Sequence, residues 1–399
     1  MARAFHSTYG KKVSAFAHQQ LAPTRFSKIV HVTTIPHFDE PDTFARTLIS
    51  YAQQSKTTAP DKKLLLVPCG DLYARLIAET REQIKEYYLF TGVDAEMEKR
   101  LSTKNTFYEL CAQYDIPHPL TYVLSRAQYK NGENIELPFD FPIALKPANS
   151  VEYLDIHFEG REKAYIIETH ERMMDIISRI YDAGYTSEII IQDFIPGDDS
   201  RMRVLNAYVD QNSHVRMMML GHPLLEDPSP VAKGNYSVII PDYNDEVFAH
   251  VKKFLEAIHY RGFANFDMKY DERDGQYKLF EINLRQGRSS FFVTLNGANL
   301  AQYLTEDLVF NKPFDPETDH VTYVHGEKVW MEIPRSIFST YVADNDYKTQ
   351  AENMISVGNW GTTLWYDKDK NPLRWLLIRR IYSLYKKSYA QYFTAKDQL

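Results

Sequence analysis

Residues 263–292 read FANFDMKYDERDGQYKLFEINLRQGRSSFF, and the rest of the chain is best understood from this segment outward. Phe263–Tyr270 and Gln276–Asn283 alternate with period two, and the Asp-Glu-Arg-Asp-Gly between them has the turn chemistry of a β-hairpin. If Tyr270 faces Gln276, Asp267 lies opposite Leu279 and Asn265 opposite Glu281. Asn265, Asp267, Glu281 and Asn283 then share one face, while Phe266, Met268, Phe280 and Ile282 take the other. Diagonal neighbours on such a face are roughly 7–8 Å apart, a gap that one or two divalent ions can fill. Acids on one face of a hairpin are also what any half-wet sheet carries. The sequel separates the two readings: Arg285, Gly287 and Arg288 follow at once, and hard oxygen ligands beside guanidiniums suit a Mg²⁺-held phosphate or a substrate carboxylate.

The 399 residues, 44% hydrophobic and 25% charged, allow a large core and two or three domains. A net charge of -7 gives no global pull toward nucleic acid, so any anion site is local. Cys69 and Cys111 have no disulfide or metal-ligand spacing, which fits a reducing compartment, and both are expected as small core residues. No apolar run approaches the 18 or so residues of a membrane span and no signal peptide is visible, so a cytoplasmic location is expected.

Along the chain, a helix ended by Gly10, strands at Lys12–Ala17 and Ile29–Val32, a helix at Asp42–Gln53 and a strand at Lys63–Val67 suggest an α/β domain. It lacks the leading strand that should feed its first helix, as if the sequence began at an internal methionine; the alternative is a fold that tolerates the loss. Asp71 is expected to cap the next helix, with substrate contact as the other reading. Ser102 or Thr103 caps a helix from Lys104. Phe141–Lys146 is a strand ending in a lysine, and Glu188–Ile195 an apolar strand running into Pro196, Gly197, Asp198 and Asp199. After the hairpin Arg201–Val209 and Val215–Leu220, residues 221–237 (GHPLLEDPSPVAKGNYS) are expected as a lid-like loop carrying Lys233, whose bland reading is a mobile surface lysine. A linker begins at Asn311. The final segment, 373–393, places Leu373, Leu377, Ile381, Leu384, Tyr385, Tyr389 and Tyr392 on one side and Arg379, Arg380, Lys386 and Lys387 on the other, with Arg374 and Leu376 out of place. Such a helix either lies on an anionic membrane or docks its apolar side on the core.

Lys104, Lys146, the QDFIPG turn, the Lys233 loop and FEINLRQGRSSFF, in that order, resemble the ATP-grasp ligases over about residues 1–311. Within them the chain is similar to the D-aspartate ligases of lactic acid bacteria in MARAFH, FPIALKPANSVEY, IPGDDSRMRV and NLRQGRSSFF. The resemblance implies an α/β (α+β) ATP-grasp fold: a Rossmann-like preATP-grasp domain (1–100) without its first strand, a small lobe (101–195), a large lobe with the metal site (196–311) and a C-terminal extension (312–399). Lys104 and Lys146 would hold the α- and β-phosphates, with Ser150 as a further contact. Gln192, Asp193 and Ile195 would line the adenine pocket, Asp199 would bind ribose and Lys233 would reach the γ-phosphate. Asp267, Glu281 and Asn283 would hold two Mg²⁺, or Mn²⁺ instead. The implied reaction activates the β-carboxylate of D-aspartate with ATP and joins it to the lysine ε-amine of a peptidoglycan stem precursor, at the inner membrane surface if the last helix is an anchor. Two departures stand out. Dipeptide ligases of this superfamily carry an arginine where this chain has Asn265, which leaves Arg285 and Arg288 as the catalytic candidates, and the loop after Lys146 lacks the usual glycines. Another amino-acid substrate, or a nucleotide-binding module without catalysis, are the competing readings.

Overall fold

Gly10 adopts a left-handed conformation (φ 63°) and its N–H bonds back to His6, which ends the first helix, Ala2–Tyr9. Strands β1 (Val13–Ala17) and β2 (Val30–Thr34) follow and pair in parallel, from Val13 with Val30 to Ala17 with Thr34. The helix Pro41–Thr58 buries Phe44, Ala45, Leu48 and Ala52 on one stripe. The strand expected at Lys63–Val67 forms only a single parallel bridge, Leu65 with Leu89, although Leu64 is buried in the same core as Phe44 and Leu48. Its apolar run reflects packing under the helices and not a sheet ladder. Cys111 is buried as expected, but Cys69 is exposed, because it sits in the turn just before the helix Asp71–Glu79.

The computed structural model describes residues 1–149, 152–153, 155–230, 232 and 234–394. They group into two units: Met1–Ser102, Asp198–Met268 and Ile282–Leu399 form one, Thr103–Gly197 and Lys269–Glu281 the other.

In the smaller unit, β3 (Thr121–Leu124), β4 (Ile143–Pro147), β5 (Tyr165–Ile167) and β6 (Ile189–Asp193) form an antiparallel sheet in the order β3-β6-β4-β5. Ile143 and Leu145 of β4, with Ile189 and Ile191 of β6, pack against Met173, Ile176, Ile177 and Ile180 of the helix His170–Asp182, all almost fully buried. Strand alternation turns Ala144, Lys146 and Gln192 to the opposite face. The lysine at the strand end is therefore aimed by the core that its neighbours build.

In the larger unit, β7 (Met202–Val209), β8 (Val215–Glu226) and β9 (Tyr236–Asp242) form an antiparallel meander, continued on one side by β10 (Gly262–Asp271, in this unit as far as Met268) and β11 (Gln276–Asn283, in this unit from Ile282). β12 (Thr322–Tyr323) runs beside β8, while β13 (Val329–Met331) and β14 (Trp360–Gly361) extend the sheet past β9, so residues beyond 312 add three strands to it. Met217, Met219, Ile239 and Trp330 face Phe292, Val293, Leu300 and Leu304. Val238, Ile240, Val329 and Met331 face Ile337, Phe338 and Tyr389 on the other side. Covering both faces explains why runs such as MMML and VII are continuously apolar instead of alternating.

The loop expected at 221–237 is shorter than the sequence suggests. Gly221–Glu226 continues β8 and Tyr236 opens β9, leaving 227–235 as the connection. Pro223 is tolerated because the ladder shifts register between it and Leu225. Gly221 marks close packing and no turn: a Cβ there would meet Ile239 Cγ2 at 2.6 Å and the Phe292 ring at 2.9 Å.

The helix Pro372–Tyr392 docks on the larger unit through Arg374, Ile378 and Tyr389. This face is rotated from the expected one, for Leu373, Leu384 and Tyr392 are exposed. Arg374 can be buried because Asp369 neutralises it at 3.1 Å and the carbonyl of Pro23 accepts from it at 2.6 Å.

Candidate functional site

On the larger unit's part of the hairpin, the side chains meant for metal chemistry are embedded in a polar network. The Tyr236 hydroxyl donates to Asp267 Oδ1 at 3.1 Å. Asn283 Nδ2 donates to Asn265 Oδ1 at 3.3 Å, and Asn265 Nδ2 in turn donates to Asn206 Oδ1 at 3.3 Å. Ser290 Oγ closes the network onto the same Asn206 oxygen at 2.5 Å. Asn265 thus serves as a buried strut, 5% exposed, that orients Asn283. Gly287 is required against it, since a Cβ there would lie 2.9 Å from Asn265 Oδ1. Asn206, Tyr236 and Ser290 were not singled out in the sequence. Ser290 and Tyr236 each left a trace, inside the quoted RQGRSSFF and GHPLLEDPSPVAKGNYS.

Arg285 donates to Asp71 Oδ2 at 2.7 Å and to Asn283 Oδ1 at 3.2 Å. Asp71 is accordingly no cap. Gly70 occupies the N-cap position, and the Asp71 carboxylate receives a guanidinium 214 residues away in sequence. Arg288 is turned elsewhere and donates to the Tyr385 hydroxyl at 2.6 Å, on the helix Pro372–Tyr392. The two arginines are therefore held by different partners.

In the smaller unit, the Tyr108 hydroxyl donates to the carbonyl of Phe280 at 2.8 Å and Leu279 N–H to the carbonyl of Pro117 at 2.9 Å. These contacts hold 279–281 beside the start of the helix Lys104–Gln113, where Lys104 Nζ is 3.3 Å from Glu281 Oε2. Thr103 is the N-cap residue of that helix, without a side-chain cap bond. Lys146 Nζ donates to Gln192 Oε1, and Gln192 Nε2 donates to Thr121 Oγ1 at 2.8 Å. Gln192 is 4% exposed, and both ends of its amide are engaged in fixing the lysine. Burial, reinforced by the neighbouring charge of Lys104 and only partly offset by Glu281, pushes the Lys146 amine down to about 7. Asp193 is gripped by Arg273, Nη1 to Oδ1 at 2.9 Å and Nη2 to Oδ2 at 2.6 Å, and Arg273 also holds Asp271. Ile195 is buried.

Asp199 opens a short 3-10 turn, Asp199–Arg201, in the larger unit, and its side chain is outside the described residues. Ser150 and Lys233 also lie outside them. Among the described residues no three His, Cys, Asp or Glu side chains cluster as a metal cage. The donors that are present suit Mg²⁺ one by one: Asp267 and Asn283 in the larger unit and Glu281 in the smaller unit are hard oxygen ligands, and this ion keeps several waters and binds through one or two carboxylates together with phosphates. A cationic side chain already rests on Glu281, and Arg285 on Asn283, so both positions are used to compensating charge or donating groups.

No family model matches the chain. Over 398 residues, 100% of this chain and 94% of the other, it is 53% identical to the D-aspartate ligase of Enterococcus faecium (strain Aus0004). Its structure is similar to the L-amino acid ligase from Bacillus licheniformis, with a TM-score of 0.51 and 14% identity, covering 80% of this chain and 78% of that one. It is similar also to N5-carboxyaminoimidazole synthetase from Staphylococcus aureus, with a TM-score of 0.56 and 14% identity over 82% and 76% of the two chains. The biotin carboxylase domain of Hydrogenobacter thermophilus 2-oxoglutarate carboxylase, solved with MgADP, gives a TM-score of 0.56 at 12% identity over 82% and 70%. At such identities these likenesses speak for the fold alone, which is the ATP-grasp fold. The identity along the whole length, with that fold beneath it, means that the chain belongs to the D-aspartate ligase family of ATP-dependent carboxylate–amine ligases.

Proposed function

We propose that this enzyme joins the β-carboxylate of D-aspartate to the lysine ε-amine of a peptidoglycan stem precursor, at the expense of ATP. The observation that carries the substrate is the 53% identity to a D-aspartate ligase over the full chain. A carboxylate is a poor electrophile, so one of its oxygens first takes the γ-phosphoryl group as ADP leaves. The amine then attacks the acyl carbon of the acyl phosphate, phosphate departs with the former carboxylate oxygen, and the nitrogen loses its proton. Lys104 and Lys146 are assigned to the phosphates together with Ser150, and Lys233 to the γ-phosphate. Gln192, Asp193 and Ile195 are assigned to the adenine side, Asp199 to ribose, and Arg285 and Arg288 to the substrate carboxylates and the developing oxyanion. Asp267, Glu281 and Asn283 would hold Mg²⁺, two ions in our reading, with Mn²⁺ as a substitute. The metal supplies charge neutralisation on the phosphates. Residues 1–100 form the preATP-grasp part in this reading, 101–195 and 196–311 the two lobes, and 312–399 the extension.

Phosphate release measured with D- and L-amino acids, with and without a lysine-containing precursor, is expected to be greatest with D-aspartate and to need the precursor for sustained turnover. A preference for another acid would leave an ATP-grasp ligase of different specificity and end the D-aspartate reading.

The proposed location is the cytoplasm, at the inner membrane surface. No helix among the described residues is long and apolar enough to cross a membrane. The docked helix Pro372–Tyr392 nevertheless exposes Leu373, Trp375, Leu376 and Leu384 beside Arg379, Arg380, Lys386 and Lys387, and it carries no acidic residue. That combination suits an anionic headgroup layer, where each basic residue contributes about 1 kcal/mol. The protein should float with phosphatidylglycerol vesicles and not with phosphatidylcholine, and exchange of the four basic residues for Gln should abolish flotation. Equal partitioning of the two proteins would refute the membrane contact.

A further inference from the structure

Glu332 is a buried carboxylate that the chemistry above does not use. It follows β13, its N–H donates to the carbonyl of Ser237 at 2.9 Å, and the residue is 8% exposed. One carboxylate oxygen, Oε2, has no hydrogen-bond partner among the described residues. Thr363 supports the carboxylate, and Arg288 and Arg3 are the cations whose fields reach it, yet neither forms an ion pair with it among the described residues. Arg3 is committed elsewhere: it donates to the carbonyls of Thr362 and Trp365, the latter at 2.8 Å, and stacks on Phe291 and Tyr366. Arg288 is oriented by Tyr385. An unpartnered buried carboxylate is costly, and such groups persist where a ligand supplies the missing donor. A cationic donor would complete the carboxylate, and the guanidinium nearby would draw an anion to the same place.

An α-amino acid head carries both charges, an ammonium and a carboxylate on one carbon. We infer that Glu332 receives the α-ammonium of the amino-acid substrate while Arg288 takes the carboxylate beside it, so that the pair selects for an amino acid over a plain dicarboxylate. Burial and the hydrogen-bond geometry give the same direction as the electrostatics, since the Glu332 carboxyl is pushed up to about 7 by desolvation and gains most from a cationic guest. The inference rests on the ligase reading but names a residue for its specificity. Of the two arginines it assigns Arg288, and not Arg285, to the amino-acid head.

The test compares the wild type with Glu332→Gln in phosphate release, using D-aspartate and succinate, the same dicarboxylate without the amine. Loss of one charge-assisted hydrogen bond should raise KM for D-aspartate roughly 10- to 100-fold and cut the preference over succinate by a similar factor. KM for ATP should stay within twofold. In the wild type, KM for D-aspartate should also improve as pH rises through about 7, and this limb should vanish in the variant. Unchanged KM and unchanged preference would overturn the assignment. So would a fall in kcat alone, which would make Glu332 a base for the attacking amine, or a parallel rise in KM for ATP, which would make its role structural. If Glu332→Gln does not fold, Glu332→Asp decides: retracting the carboxylate should raise KM for D-aspartate, and no change would overturn the assignment. If the wild type prefers another amino acid, the D-aspartate reading fails on the wild type alone, and the same comparison with that acid and its deaminated analogue still decides on Glu332. A wild type that accepts no amino acid overturns both.

Discussion

Glu281→Gln is expected to lower ATP-dependent phosphate release by roughly three orders of magnitude, because a neutral amide is a far weaker ligand than the carboxylate proposed to hold Mg²⁺ on the triphosphate. The fold should survive. Glu281 is half exposed (47% for the side chain), and its ion pair with Lys104 at 3.3 Å is of the exposed kind that contributes about 0–1 kcal/mol. Thermal melting of the variant should therefore stay close to that of the wild type. Its requirement for Mg²⁺ should shift to higher concentration. Turnover that is undiminished at ordinary Mg²⁺ would show that β11 is only the wet side of a sheet.

The second large effect concerns Lys146. Replacing it by Met should weaken nucleotide binding roughly 100-fold, since the charge-assisted bond to phosphate proposed for it would be lost from a site where little water competes. The wild type should also show a proton linkage with a definite sign. In the free enzyme the amine is lowered to about 7, so at pH 8 it is mostly neutral. Phosphates restore its charge, so binding takes up a proton, and affinity falls as pH rises above 7, by at most about tenfold per unit. Below pH 7 the lysine is already charged and affinity levels off. Calorimetry of nucleotide binding at pH 8 in two buffers of different ionisation enthalpy reads this uptake directly. The Lys146→Met variant should show none, and an uptake of the same size in both proteins would dissociate it from Lys146.

The direction of Lys146 was legible in the sequence: it sits on a strand whose alternate residues Ile143 and Leu145 are apolar, so burying them turns it to the other face. Glu281 was legible as an acid of the strand Gln276–Asn283. Gln192 was legible too, but as an adenine contact; its tie to Lys146 depends on the cross-strand register of β4 and β6, which no local pattern prints. The loop expected at 221–237 is shorter in the structure because its Gly221 and Pro223 lie within a strand and are not punctuation. At Gly221 the glycine answers to Ile239 and Phe292, residues far along the chain, and at Pro223 a shifted ladder absorbs the missing donor.

The last helix shows the same limit. Its 3.6-residue period was readable, but the docked stripe was misplaced because Arg374 had to be counted as polar until Asp369 and Pro23 supplied its partners.

By itself, then, the sequence determined the strand and helix periods, the hairpin with Asp267, Glu281 and Asn283, the strand-end lysine and the family. Tertiary structure alone decided which partner each polar side chain meets: Arg285 with Asp71, Arg288 with Tyr385, Gln192 with Lys146, and Glu332 with one oxygen that has no hydrogen-bond partner among the described residues. The physical reason is range. Side-chain direction follows from a residue's own backbone and its nearest apolar neighbours, whereas a buried charge is defined by groups that the chain brings back from hundreds of residues away.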